Sequence, residues 1–596
     1  MIILTTQTVN EKLASLRVSM KLRGINGYVI PSADPHLSEY FSPHWAARAY
    51  FSGFTGSAGT LVVTENESAL WTDGRYYLQA SMQLEGSEIR LMRAGEPDCP
   101  KLFDYLRDTL PSGGVAALDG MLFSENALCS ARATLGQKNI VLRLDGSVVD
   151  ENWSCRPTEA FTEVFELDEA VAGCSRAEKL AALRARLAEK GAGSTVVASL
   201  DSIAWLLNIR ADDVHDNPVV ASFLYLDAAS AVLFTESSRI PADVLAHLAA
   251  DGVSVMGYHE LTRFLEGVSS PEKLLCDPNT LNGQIFAAAR SNTNFEIVSD
   301  TDPIIAMKAV KNSCELRRQH NAYLKDGCAL AEFFSELDER LANGETPTEY
   351  ELVAPLAAYR RAQSGCLGDS FDAIIAYHRN AAVVHYFPEE DSAATVRPEH
   401  LLLVDSGGQY LDGTTDTTRT VALGPVTDEE KRSFTLVLKA HIALSSAVFP
   451  EGTSGRALDT LARINLWKYG LNYRHGTGHG VGFLLNVHEG PHSFSGDLPL
   501  REGMVITIEP GFYQDGGYGI RTENVSHVVE ACRTEYGRFL RLENFTVFPM
   551  DTTCIDFSLL TQEEREWLKG YNNDVIDRLS PLVSERARRW LSRYRL

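Results

Sequence analysis

Residues 401–420, LLLVDSGGQYLDGTTDTTRT, decide the fold of the last third of this chain. The apolar run at the start predicts a buried β-strand that ends in Asp405, and the β-prone segment at the end carries Asp416. Gly407 and Gly408 predict a tight turn, so a hairpin would bring the two aspartates close together on adjacent strands. A single aspartate at a strand end is usually a turn cap. A second one on the next strand points instead to a shared acidic site.

Two glutamates repeat this pattern downstream. Glu509 closes the apolar run 504–508, and Glu523 follows Gly-Ile-Arg-Thr at 519–522. Carboxylates that end buried strands are costly unless they are paired or bind a metal. Four such acids in one predicted sheet favour a metal site.

The pentapeptide His-Gly-Thr-Gly-His at 475–479 lies between the aspartates and the glutamates. Its histidines are four residues apart, as in zinc proteases, but Gly476 stands where those enzymes carry the catalytic glutamate. Two glycines also disfavour a helix there. The segment is interpreted as a strand or loop end in which only one of His475 and His479 need face the metal.

The ligand types predict the chemistry. An oxygen-rich site with one imidazole suits manganese, magnesium, cobalt or zinc. Four negative charges are too many for one ion but match two divalent ions bridged by carboxylates, which would hold a water or hydroxide as the nucleophile of a hydrolase. Glu509 could carry its proton. Three histidines in this region could bind the substrate carbonyl and pass a proton to the leaving nitrogen: His385, His475 and His488.

Composition limits the other classes of function. The 596 residues exceed one hydrophobic core and predict two to four domains. A formal charge of −24 argues against nucleic acid or anionic membrane as the main partner. The first residues have no basic leader, and no apolar run could span a bilayer, so a cytoplasmic protein is expected. The ten scattered cysteines predict reduced core thiols.

An internal repeat organises the first half. Residues 11–17, EKLASLR, return as EKLAALR at 178–184, and each copy is followed at the same offset of 23 residues by an aspartate, Asp34 or Asp201. Each copy predicts a helix packed on a mixed sheet, although two common amphipathic helices could agree by chance. We therefore predict an α/β module at 1–160, a related module at 161–302 and a third domain at 303–596.

The third domain predicts an α+β fold. Asn312 and Glu315 form a capping-box pattern that should open a long helix to about Ala342. Beyond residue 371, short β-branched or aromatic runs alternate with glycine-rich turns, which is typical of an antiparallel sheet. Two helical patterns, at 428–448 and 454–469, should cover one face of that sheet.

Taken together, these motifs resemble the metallopeptidase family with the pita-bread fold, and most closely its three-domain cytosolic Xaa-Pro aminopeptidases. The resemblance extends along nearly the whole chain. Its most specific motifs are LVDSG at 403–407, DGTTDTTRT at 412–420, HGTGHG at 475–480, NVHEGP at 486–491, EPG at 509–511 and GIRTEN at 519–524.

The resemblance implies a role for each site residue. Asp405, Asp416, His479, Glu509 and Glu523 would bind two metal ions, most often manganese with cobalt or zinc as alternatives, and Asp416 and Glu523 would bridge them. His385, His475 and His488 would line the substrate site, and Arg521 would support the bridging glutamate. The implied enzyme is a cytoplasmic homodimer. It would release the N-terminal residue from short peptides with proline in the second position.

Two alternatives remain at this point. A prolidase would cleave only Xaa-Pro dipeptides, but such enzymes typically lack the third domain, so the two N-terminal modules favour the aminopeptidase. The other alternative is a metal-free scaffold of the same fold that binds peptides, against which the intact ligand positions argue.

Overall fold

The computed structural model of the protein describes residues 7–596, which form two compact units. The first unit comprises residues 7–167, 174–215 and 219–304, and the second comprises 168–173, 216–218 and 305–596. The predicted domain boundaries at residues 160 and 302 stay predictions. No helix within residues 7–596 combines the length and the apolar character that crossing a bilayer requires.

The first unit begins with six helices and six strands. The strands form one mixed sheet in the order β4-β3-β2-β1-β5-β6, in which β1 is antiparallel to β2 and parallel to β5. In chain order the elements are α1 Val9–Leu22, β1 Gly27–Pro31, α2 Ala47–Ser52, β2 Thr60–Thr64, β3 Ser68–Thr72, α3 Tyr77–Gln83, β4 Ile89–Arg93, α4 Leu102–Thr109, β5 Val115–Leu118, α5 Glu125–Gly136, β6 Val141–Leu144 and α6 Ser147–Asn152.

A second set of elements follows and forms a second six-stranded sheet, in the order β12-β11-β10-β8-β13-β14. These elements are β7 Phe165–Glu166, α7 Glu169–Ala172, α8 Arg176–Glu189, β8 Ser194–Val197, α9 Leu200–Leu207, β9 Ile209–Arg210, β10 Phe223–Leu226, β11 Ala231–Phe234, α10 Ala242–Ala250, β12 Val253–Met256, α11 Leu261–Gly267, β13 Glu272–Cys276, α12 Gly283–Ser291 and β14 Phe295–Ser299.

The two sheets have the same topology. When β8 is laid on β1, every neighbouring pair keeps its direction: two antiparallel pairs on one side, then a parallel edge strand, and two parallel pairs on the other side. Six strands in one order are far more specific than a seven-residue likeness. The predicted pair of related α/β modules is therefore confirmed.

The second unit contains α7 and, from residue 305, the elements that follow β14. They are α13 Pro303–Ala309, α14 Ser313–Ala342, α15 Glu349–Arg361, β15 Cys366–Asp369, β16 Ile374–Tyr377, β17 Leu401–Ser406, β18 Gly408–Tyr410, β19 Gly413–Thr414, β20 Thr417–Ala422, α16 Asp428–Ser445, β21 Val448–Pro450, α17 Gly455–Trp467, β22 His479–Gly480, β23 Glu489–Ser493, β24 Val505–Ile508, β25 Gly511–Tyr513, β26 Gly519–Arg521, β27 Asn524–Thr534, β28 Gly537–Asn544, α18 Gln562–Leu579 and α19 Glu585–Ser592.

Local signals explain where the main helices begin. Helix α14 starts after Asn312, whose side chain accepts hydrogen bonds from the Cys314 and Glu315 backbone amides, and Glu315 returns a bond to the Asn312 amide. This is the predicted capping box, and the helix ends at the predicted Ala342. Helices α16 and α17 lie within the two predicted helical patterns.

Antiparallel strands form the frame of the second unit, as predicted. One sheet has the order β16-β17-β20, and a larger one has the order β21-β28-β27-β24-β22-β23. Every strand pair in these two sheets is antiparallel. Phe334 of α14 stacks on Phe548 and on Trp590 of α19, with ring centroids 5.4 and 5.7 Å apart, so the closing helix packs into the core.

The expectation of core thiols was partly wrong. All ten cysteines are free, as predicted, but only Cys276, Cys328 and Cys554 are buried. Cys129 and Cys532 are exposed, and the others are half-buried.

Candidate metal centre

The hairpin of β17 and β20 positions the two aspartates. Asp405 lies opposite Thr418 in the antiparallel register, and Asp416 immediately precedes β20. The two aspartates therefore lie near each other on adjacent strands, as the sequence predicted.

The predicted turn at Gly407 and Gly408 was wrong. The chain continues through these residues into β18 and turns at 411–412, and Gly413 follows with a φ of +136°. Gly407 serves a close approach, because a Cβ there would lie 1.9 Å from the carbonyl oxygen of Thr415. The glycine is needed for packing between the two arms of the hairpin and not for a turn.

The larger sheet positions the other three predicted ligands. His479 opens β22, Glu509 directly follows β24, and Glu523 directly precedes β27. Ile508 pairs with Asn524, so the two glutamates emerge at the same end of neighbouring strands. The two sheets meet here, because the Glu523 amide donates to the Thr418 carbonyl over 3.1 Å.

The predicted ligands converge from these elements. One side-chain ligand atom each of Asp416, His479 and Glu523 lies within 4.8 Å of the other two. His479 Nε2 lies 3.6 Å from Asp416 Oδ2 and 3.4 Å from Glu509 Oε1. These distances are too long for good hydrogen bonds. Two donors that share one ion about 2.1 Å away would stand roughly 3.0–3.4 Å apart, so the spacing suits a coordinated ion.

The protonation of His479 also suits a ligand. Its Nδ1 lies 2.9 Å from the Gly480 carbonyl oxygen, which can only accept, so Nδ1 carries the proton. Nε2 then carries the lone pair, and it faces Asp416 and Glu509. A histidine that ligates a metal through one nitrogen commonly donates from the other in this way.

Without bound metal ions, the buried acids disfavour the ionisation of one another. Burial and the neighbouring carboxylates raise the pKa values of Asp416 and Glu523 well above the ordinary range. Burial and Asp416 raise the pKa of Glu509 to about 8. Asp405 Oδ1 is buried and meets no hydrogen-bond partner. An orphaned carboxylate oxygen beside three carboxyls that resist ionisation fits a site built for bound cations.

Arg521 bonds Asp405 directly and reaches Glu523 through Thr418. Its guanidinium donates to Asp405 Oδ2 over 2.6 Å and to the Tyr513 hydroxyl over 2.8 Å. It reaches the bridging candidate Glu523 only through Thr418, whose hydroxyl accepts from Arg521 Nε and donates to Glu523 Oε2. That Arg521 supports the bridging glutamate stays a prediction, and β26 also places its guanidinium beside Asp405.

A hydrogen-bond chain continues from Arg521 to His475. An arginine only donates, so the Tyr513 oxygen accepts from Arg521 and its own proton goes to His475 Nε2, 2.9 Å away. His475 Nδ1 donates to the Gly476 carbonyl over 2.7 Å. Burial raises the pKa of Tyr513 to about 12, so the phenol remains a donor. This chain fixes His475 as a neutral imidazole beside the acids.

The other two predicted histidines are His488, beside His479, and His385, in a turn. The His488 ring meets that of His479 edge-on, with centroids 4.3 Å apart. The next residue, Glu489, is buried and paired with Lys308 at 3.3 Å and with Lys311, which anchors the start of β23. His385 lies half-buried in a turn after the 3₁₀ helix His378–Ala382. Its convergence on the centre stays a prediction.

Sequence reasoning missed three residues that the centre uses. Tyr513 links Arg521 to His475, and Thr418 links Arg521 to Glu523. The Thr507 hydroxyl accepts from the His479 amide over 3.0 Å and lies 3.3 Å from Glu509 Oε1. Each occupies a β-prone position where a hydroxyl residue is ordinary. Their nearness to predicted ligands along the chain was the only available signal.

Comparisons with known families agree with this arrangement. The sequence model of metallopeptidase family M24 matches residues 320–530, and that of its C-terminal region matches 538–594. Two models of the creatinase/prolidase N-terminal domain match 12–141 and 155–315. These matches bear out two related N-terminal modules before a pita-bread catalytic domain.

Whole-chain relatives agree as well. Aminopeptidase P2 of Arabidopsis thaliana is 41% identical over 98% of this chain and 88% of its own length. A probable Xaa-Pro aminopeptidase P of Neurospora crassa is 40% identical over 96% of this chain and 86% of its own length. The crystal structure of an X-prolyl aminopeptidase from Caenorhabditis elegans, described as a cytosolic enzyme with a di-nuclear active site, shares 35% identity, covers 99% of both chains and has a TM-score of 0.93.

Proposed function

This chain belongs to the Xaa-Pro aminopeptidases P, in metallopeptidase family M24, and we propose that it releases the N-terminal residue from peptides with proline in the second position. The observation that carries the proposal is the convergence of Asp416, His479 and Glu523, with Glu509 and the orphaned oxygen of Asp405 beside them. The M24 family and the di-nuclear C. elegans structure support two divalent metal ions.

The five predicted ligands would hold the ions. Asp416, His479 and Glu523 already lie within one 4.8 Å cluster, and the bridging role that the resemblance implies for Asp416 and Glu523 stays a prediction. When bound, two such ions lower the pKa of a water between them and polarise the scissile carbonyl. The oxygen-rich donor set supports manganese as the resident metal, with cobalt or zinc as alternatives.

The surrounding side chains prepare this centre for the reaction. Arg521 orients Asp405 through Oδ2 and leaves the buried Oδ1 without a hydrogen bond. Glu509 lies beside His479 and can accept a proton from the attacking water and return it to the leaving nitrogen. His488 lies against His479, where it can donate to a substrate carbonyl or to the developing oxyanion. The role of His385 on the substrate side stays a prediction.

The place of His475 on the substrate side stays a prediction. Both of its ring nitrogens are engaged, one by the Gly476 carbonyl and the other by Tyr513. We assign it to positioning the Tyr513 hydroxyl and, through it, the guanidinium of Arg521. Contact between His475 and the substrate would require the hydrogen bond between His475 and Tyr513 to break.

Substrate length separates this function from that of a prolidase. A peptide bond to proline lacks an N–H and has a fixed φ, so it needs a dedicated site. The two N-terminal modules favour an enzyme that accepts peptides longer than two residues. Hydrolysis of a Xaa-Pro-Xaa tripeptide and a Xaa-Pro dipeptide should be compared on the manganese-loaded protein. Turnover of the dipeptide alone would establish a prolidase instead.

Metal dependence separates an enzyme from a peptide-binding scaffold. The protein should lose tripeptide hydrolysis after chelation and regain it most fully with manganese. Metal content measured on the same samples should rise to two ions per chain as activity returns. A protein that binds the tripeptide with unchanged affinity but never cleaves it, with any of manganese, cobalt or zinc, would be a scaffold.

The cytoplasmic location and the homodimer are further parts of the proposal. The cytosolic C. elegans enzyme and the ten free cysteines support the cytoplasm. The family resemblance supports the dimer. Light scattering of the purified protein should give twice the mass of the 596-residue chain, and imaging of a tagged protein should show a diffuse cytoplasmic signal.

A further inference from the structure

A second group of metal-binding side chains lies in the catalytic unit away from the acidic centre. His378 opens the 3₁₀ helix His378–Ala382, His400 directly precedes β17, and Glu430 lies in the first turn of α16. One ligand atom from each lies within 4.8 Å of the other two. His400 is five residues before Asp405 along an extended strand, so about 16 Å of strand separates the two sites.

Glu430 has one oxygen that the protein leaves unsatisfied. Its Oε2 accepts from the Thr427 amide at 2.7 Å and from the Thr427 hydroxyl at 2.9 Å, which completes the cap of α16. Its Oε1 is buried, meets no hydrogen-bond partner, and faces His400 Nδ1 at 3.5 Å. The residue as a whole is 2% exposed. A buried carboxylate oxygen aimed at an imidazole, but not bonded to it, is a group that a cation would satisfy.

The two histidines are arranged so that both can reach the same point. Their rings stack with centroids 4.1 Å apart and an interplanar angle of 22°. His400 Nδ1 is buried and meets no hydrogen-bond partner either. Burial and the neighbouring His400 lower the pKa of His378, which keeps that ring in the neutral form that binds metals. The χ2 torsion of histidine is soft, so both rings can turn toward a shared ion.

We propose that His378, His400 and Glu430 form a third, mononuclear metal site that binds a transition-metal ion of the Zn²⁺ class. Two imidazoles and one carboxylate suit zinc, whereas the acidic centre, with four carboxylates and one imidazole, suits manganese. Both histidines are partly exposed, so the remaining coordination positions face solvent. The two kinds of site should therefore divide the two metals between them.

The site would join three segments, two of which already meet where β16 pairs with β17 beside His378 and His400. The 3₁₀ helix presses against β26, because a Cβ on Gly519 would lie 1.7 Å from the Ala381 carbonyl oxygen. Strand β26 ends in Arg521, and the turn that carries His385 follows the 3₁₀ helix. Zinc bound at this site would hold that segment to β17 and α16, and would raise the thermal stability of the catalytic unit.

Another cluster of the same composition provides a control. His320, His527 and Glu543 also bring ligand atoms within 4.8 Å of one another. There, however, the carboxylate is already paired with Arg541 at 2.6 Å. The guanidinium paired with this carboxylate repels a metal ion, so this cluster should not retain zinc.

The test uses the full-length protein, stripped of metal and then loaded with two equivalents of Mn²⁺ per chain. Zn²⁺ is added and unbound metal is removed by desalting before metal analysis. The wild type should retain two manganese ions and one zinc ion and should melt at a higher temperature with zinc. His378→Asn and His400→Asn should each keep two manganese ions, the zinc-free melting temperature and aminopeptidase activity, but lose the zinc and the melting shift. Asparagine is chosen because both histidines have φ between +50° and +59°, which asparagine tolerates.

The control His320→Gln should behave as the wild type. A Co²⁺ titration of the manganese-loaded wild type supplies a readout that needs no variant, since one further equivalent should produce visible bands of imidazole-bound cobalt. The proposal is overturned if both asparagine variants retain zinc, or if zinc enters the wild type only as manganese leaves. It is equally overturned if His320→Gln alone abolishes zinc retention, or if the cobalt titration shows no further equivalent.

Discussion

The hydroxyl of Tyr513 offers the most direct test of how the centre is organised. It accepts from Arg521 over 2.8 Å and donates to His475 over 2.9 Å. Tyr513→Phe removes both bonds and little volume. Arg521 keeps Asp405 and Thr418 as partners, but His475 Nε2 loses the hydrogen bond from the Tyr513 hydroxyl. The change therefore isolates the link between the arginine and the histidine.

The expected loss of activity follows from the strengths of the two hydrogen bonds. A hydrogen bond to a charged group contributes about 1.5–3 kcal/mol, and a neutral one about 1 kcal/mol. Arg521 retains its other contacts, so we expect roughly 1.5–3 kcal/mol of lost transition-state stabilisation. That corresponds to a fall of about 10- to 150-fold in kcat/KM for a Xaa-Pro tripeptide. The loss should lie mainly in kcat, because the hydroxyl positions catalytic groups.

A matched control lies on the same hairpin. Tyr518 is 5% exposed, and its hydroxyl lies 2.9 Å from the Ser433 hydroxyl, so it bonds none of the residues of the metal centre. Tyr518→Phe should cost about 1 kcal/mol of unfolding free energy and leave kcat/KM within twofold. Tyr513→Phe and His475→Ala should also be non-additive, because they break the same bond. Equal activities of the two phenylalanine variants, or fully additive losses in the double variant, would refute the hydrogen-bond chain.

Three further predictions concern the ligands, the pH dependence and the hairpin. Asp416→Asn and His479→Ala should reduce tripeptide hydrolysis to background and lower the bound metal, while a single cooperative unfolding transition remains; full turnover by either variant in metal-free buffer would contradict the di-nuclear assignment. Burial and Asp416 raise the pKa of Glu509 from 4.5 to about 8, so the folded metal-free protein holds a proton that the unfolded chain releases. Its unfolding free energy should fall by several kcal/mol as pH rises from about 4.5 to 8, as urea titrations would measure, and Glu509→Gln should flatten that fall. Gly407→Ala should cost about 3 kcal/mol or more, because its Cβ would lie 1.9 Å from the carbonyl opposite it, whereas Gly368→Ala, with open space at its Cβ, should cost under about 1 kcal/mol in the same urea titrations.

Local sequence signals predicted the frame of the molecule well. The capping box at Asn312 located the start of α14, and apolar runs located β17, which contains Asp405, and β24, which Glu509 follows. These features depend on residues a few positions apart, which is the range over which capping and periodicity act. The repeat of seven residues was likewise enough to predict two modules of one topology.

Local sequence signals did not predict contacts between segments that are distant along the chain. Gly407 was interpreted as a turn residue because glycine favours turns. The structure needs glycine there because a carbonyl on the facing arm of the hairpin leaves no space for a Cβ. Arg521 was assigned to Glu523, two residues away in sequence, although its guanidinium bonds Asp405, which is 116 residues away. Neither result follows from propensity, because each depends on how two sheets meet.

The electrostatics of the centre connect its fold to its function. Asp416, Glu509 and Glu523 have pKa values raised by burial and by one another, and Arg521 is the cation that directly offsets them through Asp405. Together with the buried Arg419, which bonds the Glu523 carbonyl, that guanidinium supplies two positive charges against four carboxylates, so at neutral pH the metal-free fold must either hold protons or tolerate repulsion. Bound cations remove that cost, and so the free energy of metal binding is partly free energy of folding. The arrangement that resists ionisation without metal is therefore the same arrangement that selects for two divalent ions.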